Sequence, residues 1–260
     1  MAGIKDKITM GMFTVHQEMD SDMPGTLEAL ADMGYTGIEF YGEPEFDISS
    51  TREALDTAGI ELTSWHIEWR NLQPSTIETT IQYLRKIGCP IAVVPCLGGK
   101  WNVNHTPNQE NRGLWVEYVE KMNAMAEILA QGGIRMGYHN HEHEFQLEYE
   151  GQTVFDLLFE NLRSNVILEF DTGNCIEGGC NPTEVIRKYG DREILLHLKP
   201  YSHQLGFDVV LGDEHDLNDW SSILAASTKD YLRLIVESEC TLYSGLDNAK
   251  RCMEGLRRFL

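Results

Sequence analysis

Apolar positions along the chain follow a repeated pattern, in which an amphipathic helical segment ends in glycine and a short apolar segment follows at once. Gly34, Gly59, Gly88 and Gly133 stand where a helix commonly ends on a left-handed residue. Helix–glycine–strand units repeated along one chain indicate right-handed crossovers and a parallel sheet. Four copies show the pattern, namely ALADMGYTGIEFYG, ALDTAGIELTSWHIEW, YLRKIGCPIAVVPC and ILAQGGIRMGYHNH.

The same pattern predicts eight strands, with helices between them. The predicted strands are Lys7–His16, Gly37–Tyr41, Glu61–Trp69, Ile91–Cys96, Ile134–His141, Val166–Asp171, Ile194–Lys199 and Leu232–Glu237. The predicted helices include Thr26–Met33, Ser75–Ile87, Leu114–Gln131, Val154–Leu162, Pro182–Tyr189, Asn218–Ala226 and Ala249–Phe259.

Eight strand–helix units in 260 residues are what a (β/α)8 TIM barrel requires, so we expect an α/β fold with one barrel domain over residues 1–260. A doubly wound open sheet is the alternative. It is disfavoured because no GxGxxG follows the first predicted strand. The long polar segment Leu97–Arg112 interrupts the pattern, and we expect it to form a lid loop over the barrel mouth.

Composition and charge exclude several classes of protein. No apolar run is long enough to cross a membrane, and the N-terminus lacks the apolar core and cleavage site of a secretory signal. The six cysteines are scattered without CxxC pairs, which indicates reduced thiols and a cytoplasmic location. The net charge of −20 argues against a nucleic-acid surface. We therefore expect an enzyme whose partner is a small molecule.

Polar side chains gather at the predicted strand ends, where a barrel of this kind assembles its site. The segment Ile134–Phe145, IRMGYHNHEHEF, is the richest, and alternation along its strand directs His139 and His141 to one side. Taken singly, several of these residues are equally compatible with a structural role. The candidates at the other strand ends are Glu39, His66, Glu68, Asp171, Asn174, His197, Lys199 and Glu237.

Asp171, His197 and Glu237 are the hardest to assign to packing, because each is a polar or charged group within or at the end of an apolar strand. Burying such groups unpaired would cost several kcal/mol. A divalent cation would offset that cost for all three and for His139. Imidazole and carboxylate ligands without thiolate suit Mn²⁺, Co²⁺, Zn²⁺ or Mg²⁺, and we expect one such ion, with manganese as first choice.

The motifs GYTGIEF, YHNHEHEF, LEFDTGNCIEGGCNP, HLKP, LGDEHDLNDWSSIL and IVESE resemble the xylose-isomerase-like TIM-barrel superfamily, the sugar phosphate isomerase/epimerase group. Its relatives include ketose 3-epimerases, hydroxypyruvate isomerase and inosose dehydratase. The resemblance covers nearly the whole chain. It implies one metal ligand from each of the last four strands, and a small sugar or polyol substrate. It also leaves open a homo-oligomer.

Carried over by motif, the resemblance assigns Asp171, His197 and Glu237 as metal ligands. Many relatives have a glutamate where this chain has His139, so either His139 is the fourth ligand or Glu144 reaches back to the ion. As acid and base groups we expect Glu237 on one face of the substrate and His141 or Glu144 on the other. Substrate contacts are expected from His66, Glu68, Asn174, Lys199, Trp101 and Glu39.

These residues predict metal-assisted proton transfer on a ketose or keto-sugar through an enediolate, hence an isomerase or epimerase. The alternative is a lyase of the inosose-dehydratase or keto-glycoside-cleaving kind, because the same enediolate can expel a leaving group. The histidine-rich fifth strand resembles the inosose-dehydratase branch. A phosphodiesterase of the endonuclease IV type conflicts with the acidic charge, and a non-catalytic sugar-binding barrel conflicts with the intact ligand set.

Overall fold

The computed structural model describes residues 3–99 and 110–260. Eight parallel strands form a closed barrel in which each strand pairs with the next along the chain, and the first pairs with the eighth. This confirms the predicted (β/α)8 barrel. The strands are Ile8–Gly11, Gly37–Tyr41, Glu61–His66, Ile91–Val94, Arg135–His139, Ile167–Asp171, Ile194–Leu198 and Arg233–Val236.

Helices surround the barrel. They are His16–Ser21, Met23–Met33, Ile48–Ala58, Ile77–Ile87, Arg112–Gln131, His143–Gln146, Val154–Asn161, Thr172–Glu177, Pro182–Tyr189, Trp220–Leu224 and Gly245–Leu256. A two-stranded antiparallel hairpin, Glu148–Tyr149 with Gln152–Thr153, precedes the helix Val154–Asn161. The four glycines that the pattern placed after helices all have positive φ, as predicted. Among the described helices, none is both long enough and apolar enough to span a lipid bilayer.

Each barrel strand buries both of its faces. In the seventh strand, Ile194, Leu196 and Leu198 pack outward against the helices, whereas Leu195 points into the barrel. The inward cluster consists of Ile91, Val93, Ile167, Leu195 and Ile235. These residues fill the half of the barrel interior near the strand N-termini. They form an apolar layer, called here the apolar floor, and polar side chains further along the strands lie next to it.

Seven of the eight strands are shorter than predicted, and the first and the third show why. The first ends at Gly11 instead of His16, because the chain turns into the 3₁₀ segment Met12–Val15 and then into a helix. Phe13 is 44% exposed, so the buried pattern of the strand ends before it. The third strand ends at His66, and a 3₁₀ turn begins at Trp69. Each break occurs at the barrel mouth, where polar side chains replace the buried pattern.

Most of the predicted lid loop lies outside the described residues, which omit 100–109. At its described edges, Leu97 is buried and the Gly99 N–H donates a hydrogen bond of 2.7 Å to Glu110 Oε1. Gly99 also lies against the His143 ring, since a Cβ at this position would be 2.5 Å from ring atoms. The lid function stays a prediction.

Close packing between the last helix and the loop after the seventh strand gives a stability prediction. A Cβ on Gly255 would lie 1.9 Å from the Leu211 carbonyl oxygen, so G255A must move backbone. We expect a loss of about 3 kcal/mol in the free energy of unfolding, measured by chemical denaturation. The control G113A, on an exposed helical turn, should change stability by about 1 kcal/mol or less. Equal stability of both variants would contradict this packing.

Candidate metal centre and active site

A cavity of about 230 Å³ opens at the C-terminal ends of the barrel strands. Its walls combine polar residues from the strand ends with three aromatic side chains. It is lined by Phe13, Tyr41, Gly42, His66, Glu68, Pro95, His139, His141, Asn174, Lys199, Phe207, Glu237 and Glu239. The cavity therefore lies at the end of the barrel where the sequence predicted the site.

Strand register brings the predicted metal ligands together. His139 pairs with Glu169 across the fifth and sixth strands, and Asp171 pairs with His197 across the sixth and seventh. Paired residues on neighbouring parallel strands point to the same side of the sheet, and residues two apart on one strand do so as well. The barrel interior thus changes from apolar to polar between Leu195 and His197.

The four predicted ligands present their donor atoms to one region, called here the outer cluster: His139, Asp171, His197 and Glu237. His197 Nδ1 lies 3.2 Å from Glu237 Oε2, and His139 Nε2 lies 3.9 Å from Asp171 Oδ2. One donor atom each from Asp171, His197 and Glu237 lies within 4.8 Å of the others. With ligand bonds of about 2.0–2.2 Å, two ligands of one ion stand about 3 Å or more apart. These separations suit a shared cation.

Two donor atoms of this cluster are buried and have no hydrogen-bond partner among the described residues: Asp171 Oδ2 and His197 Nδ1. The His197 Nδ1 contact with Glu237 does not have hydrogen-bond direction. A buried polar atom without a partner costs about 1–3 kcal/mol, and a cation bound to both atoms would offset that cost. Nitrogen and oxygen donors without thiolate fit a divalent cation.

The Asp171 carboxylate is held so that one oxygen remains for the cluster. Its Oδ1 accepts the Asn174 N–H at 2.7 Å and caps the helix Thr172–Glu177. Asn140 Oδ1 accepts the Asp171 N–H at 3.0 Å, and Asn174 Nδ2 donates to the Asn140 carbonyl at 3.0 Å. Asn174 thus fixes Asp171 as well as lining the cavity.

Burial and neighbouring charges shift the pKa values of two carboxyl groups in the outer cluster. Burial, and then the neighbouring Glu237 carboxylate, raise the pKa of Asp171 to about 7 against the opposing effect of Lys199. Burial would also raise the pKa of Glu237, but Lys199 and His197 hold it well below its usual range. A divalent cation would relieve this repulsion between carboxylates.

The two histidines of the YHNH motif differ in their electrostatic setting. Burial lowers the pKa of His139 to about 3, and burial together with the positive charge of neighbouring groups holds the pKa of His141 well below its ordinary value. Both rings are therefore neutral at pH 7. A neutral imidazole can bind a cation or accept a proton.

Glu144 lies outside the cavity. It is fully buried, its Oε1 accepts the Tyr138 hydroxyl at 2.6 Å, and its Oε2 accepts the His141 N–H at 2.8 Å. Both oxygens are thus occupied in fixing the turn after the fifth strand. The structure does not bring Glu144 to the ligands, and we assign it neither the ligand nor the acid–base role that the sequence left open.

Glu39 also lies away from the cavity wall. Its Oε1 accepts a hydrogen bond from His197 Nε2 at 2.8 Å, and its Oε2 accepts the Ser64 hydroxyl at 2.6 Å. The predicted substrate contact of Glu39 is therefore replaced by a contact beneath the cluster. His66, Glu68, Asn174 and Lys199 do line the cavity. Trp101 lies outside the described residues.

Alternation along the sixth strand places Glu169 on the same face as Asp171, although the sequence assigned Glu169 no role in the site. Another residue of the site escaped sequence reasoning. Phe207 reaches the cavity wall from the loop after the seventh strand, and Lys199 Nζ lies 4.6 Å from its ring centre. Nothing in the sequence around Phe207 indicates that position.

Removing Asp171 tests the cation site. D171A should lose bound divalent metal, because it removes a ligand that is buried and without a hydrogen-bond partner at one oxygen. Elemental analysis of purified protein should give about one equivalent in the parent and little in the variant. D56A, on the surface of the helix Ile48–Ala58, is the matched control and should keep its metal. Equal metal content in D171A and the parent would contradict the assignment.

Comparison with known proteins agrees with this architecture. An inosose dehydratase from Geobacillus kaustophilus is 28% identical over 211 residues, which cover 72% of this chain and 68% of the relative. A sugar phosphate isomerase/epimerase from Parabacteroides distasonis superposes with a TM-score of 0.77 at 23% identity, covering 96% of this chain and 93% of the other. A D-allulose 3-epimerase from Methylomonas sp. gives 0.69 at 16% identity, covering 98% of each chain. The last two show the fold alone.

The sequence description of one family matches residues 27–259, which is most of the chain. The description names a TIM barrel, which is the fold described above. The chain belongs to the xylose isomerase-like TIM barrel family.

Proposed function

We propose that this protein is a divalent-metal-dependent lyase that removes water from a keto-sugar or keto-polyol by β-elimination. One observation carries the proposal. The fifth strand brings two neutral imidazoles, His139 and His141, to the cavity, whereas Glu144 is turned away from it. Among the described residues, the part of the cavity wall formed by the fifth strand therefore offers imidazoles and no carboxylate.

The outer cluster would hold the ion, with manganese as first choice, through His139, Asp171, His197 and Glu237. When bound, such an ion supplies a Lewis acid that polarises the substrate carbonyl. The protein contributes the fixed orientation of its donors, since Asp171 is held by the helix it caps and by Asn140. The remaining chemistry belongs to cavity side chains that are not ligands.

His141 is the proposed base. Its neutral ring can take the proton from the carbon next to the carbonyl, and the electron pair of that C–H bond then forms the enolate. The enolate expels the hydroxyl on the adjacent carbon, and the protonated His141 ring gives its proton to that hydroxyl as it leaves. The products are an unsaturated ketone and water, and His141 returns to its starting state.

Lys199 is the proposed contact for a substrate oxygen. Its ammonium lies 3.0 Å from Glu237 Oε1 and also contacts Glu239. Burial would lower the pKa of Lys199, but these carboxylates raise it well above its usual range, so the group stays charged. A fixed cation at the wall can hold a substrate hydroxyl or carbonyl. His66, Glu68 and Asn174 complete the polar wall that would orient the other hydroxyls.

The curated relatives support the dehydration. Those that match, from Geobacillus and three Clostridium species, are each named inosose dehydratase, at 25–28% identity. We therefore propose a small keto-polyol as substrate.

A cytoplasmic location accords with six cysteines that form no disulfide. The net charge of −20 accords with a partner that is not a nucleic acid. A homo-oligomer stays a proposal.

The second candidate is the isomerase or epimerase that the sequence favoured first. Glu237 and Glu68 are carboxylates on the cavity wall, and they are the specific observation that favours it. Glu237 would then return a proton to the carbon from which one was taken, in place of expulsion of the hydroxyl. His141 would serve the opposite face of the substrate.

One assay separates the two candidates. The manganese-loaded protein is incubated in deuterated water with an inosose and, separately, with ketohexoses, and the products are analysed by mass spectrometry. The lyase proposal predicts a product that has lost water. Incorporation of deuterium into a product without loss of water would favour the isomerase. Neither change with any substrate would contradict both.

The base assignment gives a kinetic prediction. H141Q should reduce kcat for dehydration by about 10²–10⁴-fold, because the proton acceptor is removed while the amide keeps polar contacts. Its metal content should equal that of the parent, since His141 is not a ligand. H215Q is the control, as His215 is on the surface, and its turnover should be unchanged. Parent-like turnover in H141Q would exclude His141 as the base.

A further inference from the structure

A second polar layer, called here the inner layer, consists of the buried Glu39 and Glu169 and of His66, which contacts both and also lines the cavity. We propose that Glu39 and Glu169 are positioning residues that select the nitrogen each ligand histidine offers to the cation: Nε2 of His139 and Nδ1 of His197. The inference rests on the proposed cation site. It does not depend on which reaction the site performs.

The His197 ring is fixed from below by Glu39. Its Nε2 donates a hydrogen bond of 2.8 Å to Glu39 Oε1, and both side chains are buried. Glu39 is itself fixed, because its second oxygen accepts the Ser64 hydroxyl at 2.6 Å. A proton held on Nε2 leaves the lone pair on Nδ1, the atom that has no hydrogen-bond partner and lies 3.2 Å from Glu237.

The His139 ring is fixed in the opposite sense by Glu169. Here Nδ1 donates to Glu169 Oε2 at 3.0 Å, so the lone pair is on Nε2, which faces Asp171. The fifth and sixth strands pair these two residues directly, which sets the contact through backbone register. The two ligand histidines therefore bind through different nitrogens, and a different glutamate determines each choice.

His66 joins the two glutamates. Its Nε2 lies 2.6 Å from Glu169 Oε2 and 3.3 Å from Glu39 Oε1. Its ring stacks on that of His197, with ring centres 5.6 Å apart and planes inclined by 18°. The inner layer is thus one connected unit from the second, third and sixth strands. Moving either glutamate would disturb the partner of the other.

The inner layer could instead be a cation site, because donor atoms of His66, His139, Glu169 and His197 lie within 4.8 Å of one another. Distances argue against it. The 2.6 Å between His66 Nε2 and Glu169 Oε2 is a hydrogen-bond length, shorter than the roughly 3 Å between two ligands of one ion. An inner ion would also take the nitrogens that now bind the glutamates.

Carboxylates that accept a proton from a ligand histidine fix the ring and raise its basicity, and their loss typically weakens metal binding 10–100-fold. Glutamine keeps the size of glutamate but offers a weaker acceptor. We therefore expect E39Q and E169Q each to weaken cation binding by about 10–100-fold. The surface variant E53Q should bind as the parent does.

The first experiment reads the nitrogens in the parent protein. With ¹⁵N-labelled histidine and Zn²⁺ as the probe ion, long-range ¹H–¹⁵N spectra distinguish a protonated nitrogen from a metal-bound one. We expect His139 bound through Nε2 and His197 through Nδ1, assigned with H139N and H197N. Binding of both rings through the same kind of nitrogen would overturn the proposal. The parent spectrum alone shows whether the bound rings use different nitrogens, and the variants serve only to assign each ring.

The second experiment measures zinc affinity and stoichiometry by calorimetry on E39Q, E169Q, E53Q and the parent, with circular dichroism to establish folding. One ion per chain, with weaker binding in both inner-layer variants, supports positioning. S64A should give a smaller loss of affinity, because it loosens Glu39 without removing its charge. Parent-like affinity in E39Q and E169Q would overturn the proposal, and so would two ions per chain with one lost in E169Q.

These outcomes are independent of turnover. If zinc binds through the expected nitrogens but no keto-polyol loses water, the proposed reaction fails while the positioning role stands. If water is lost but the nitrogens differ, the reaction stands and the positioning role fails.

Discussion

Burial of four carboxylates inside one closed barrel is the constraint on which the site depends. Glu39, Glu169, Asp171 and Glu237 are each at most 8% exposed, and charges in such a setting are costly unless they are paired. Lys199 compensates Glu237 at the cavity wall, and histidines compensate the inner pair. Asp171 Oδ2 has no hydrogen-bond partner among the described residues, and the Lys199 ammonium lies 4.0 Å from it. A divalent cation at that point completes the pairing.

The barrel builds this arrangement with a simple rule of strand geometry. Inward positions two residues apart along a strand carry first an apolar side chain and then polar ones, as Leu195, His197 and Lys199 do. The same order places Ile167 beneath Glu169 and Asp171. The apolar floor excludes water from the inner layer, which strengthens its hydrogen bonds. In the proposed centre, the inner layer then determines which ring nitrogens of His139 and His197 face the cation.

Sequence reasoning predicted the barrel because the fold follows from periodicity, and the same reasoning brought the residues of the outer cluster to one end of the barrel. Their ligand roles stay a proposal. Asp171 and His197 end apolar strands, and parallel strands bring such ends to one edge. Glu144 was different: it is in the same motif as His139, but the chain turns after the strand and its carboxylate binds Tyr138. Glu39 lies on the expected face yet bonds to His197, since a strand pattern does not show depth within a barrel. Turns and depth are set by tertiary contacts.

Anomalous scattering from crystals of the manganese-loaded protein would locate the ion without reference to activity. We expect one strong peak within about 2.2 Å of donor atoms from His139, Asp171, His197 and Glu237. A peak there, with Glu39 and Glu169 behind the two histidines, would establish the two-layer centre. A peak between His66 and Glu169, or no peak at saturating manganese, would contradict it.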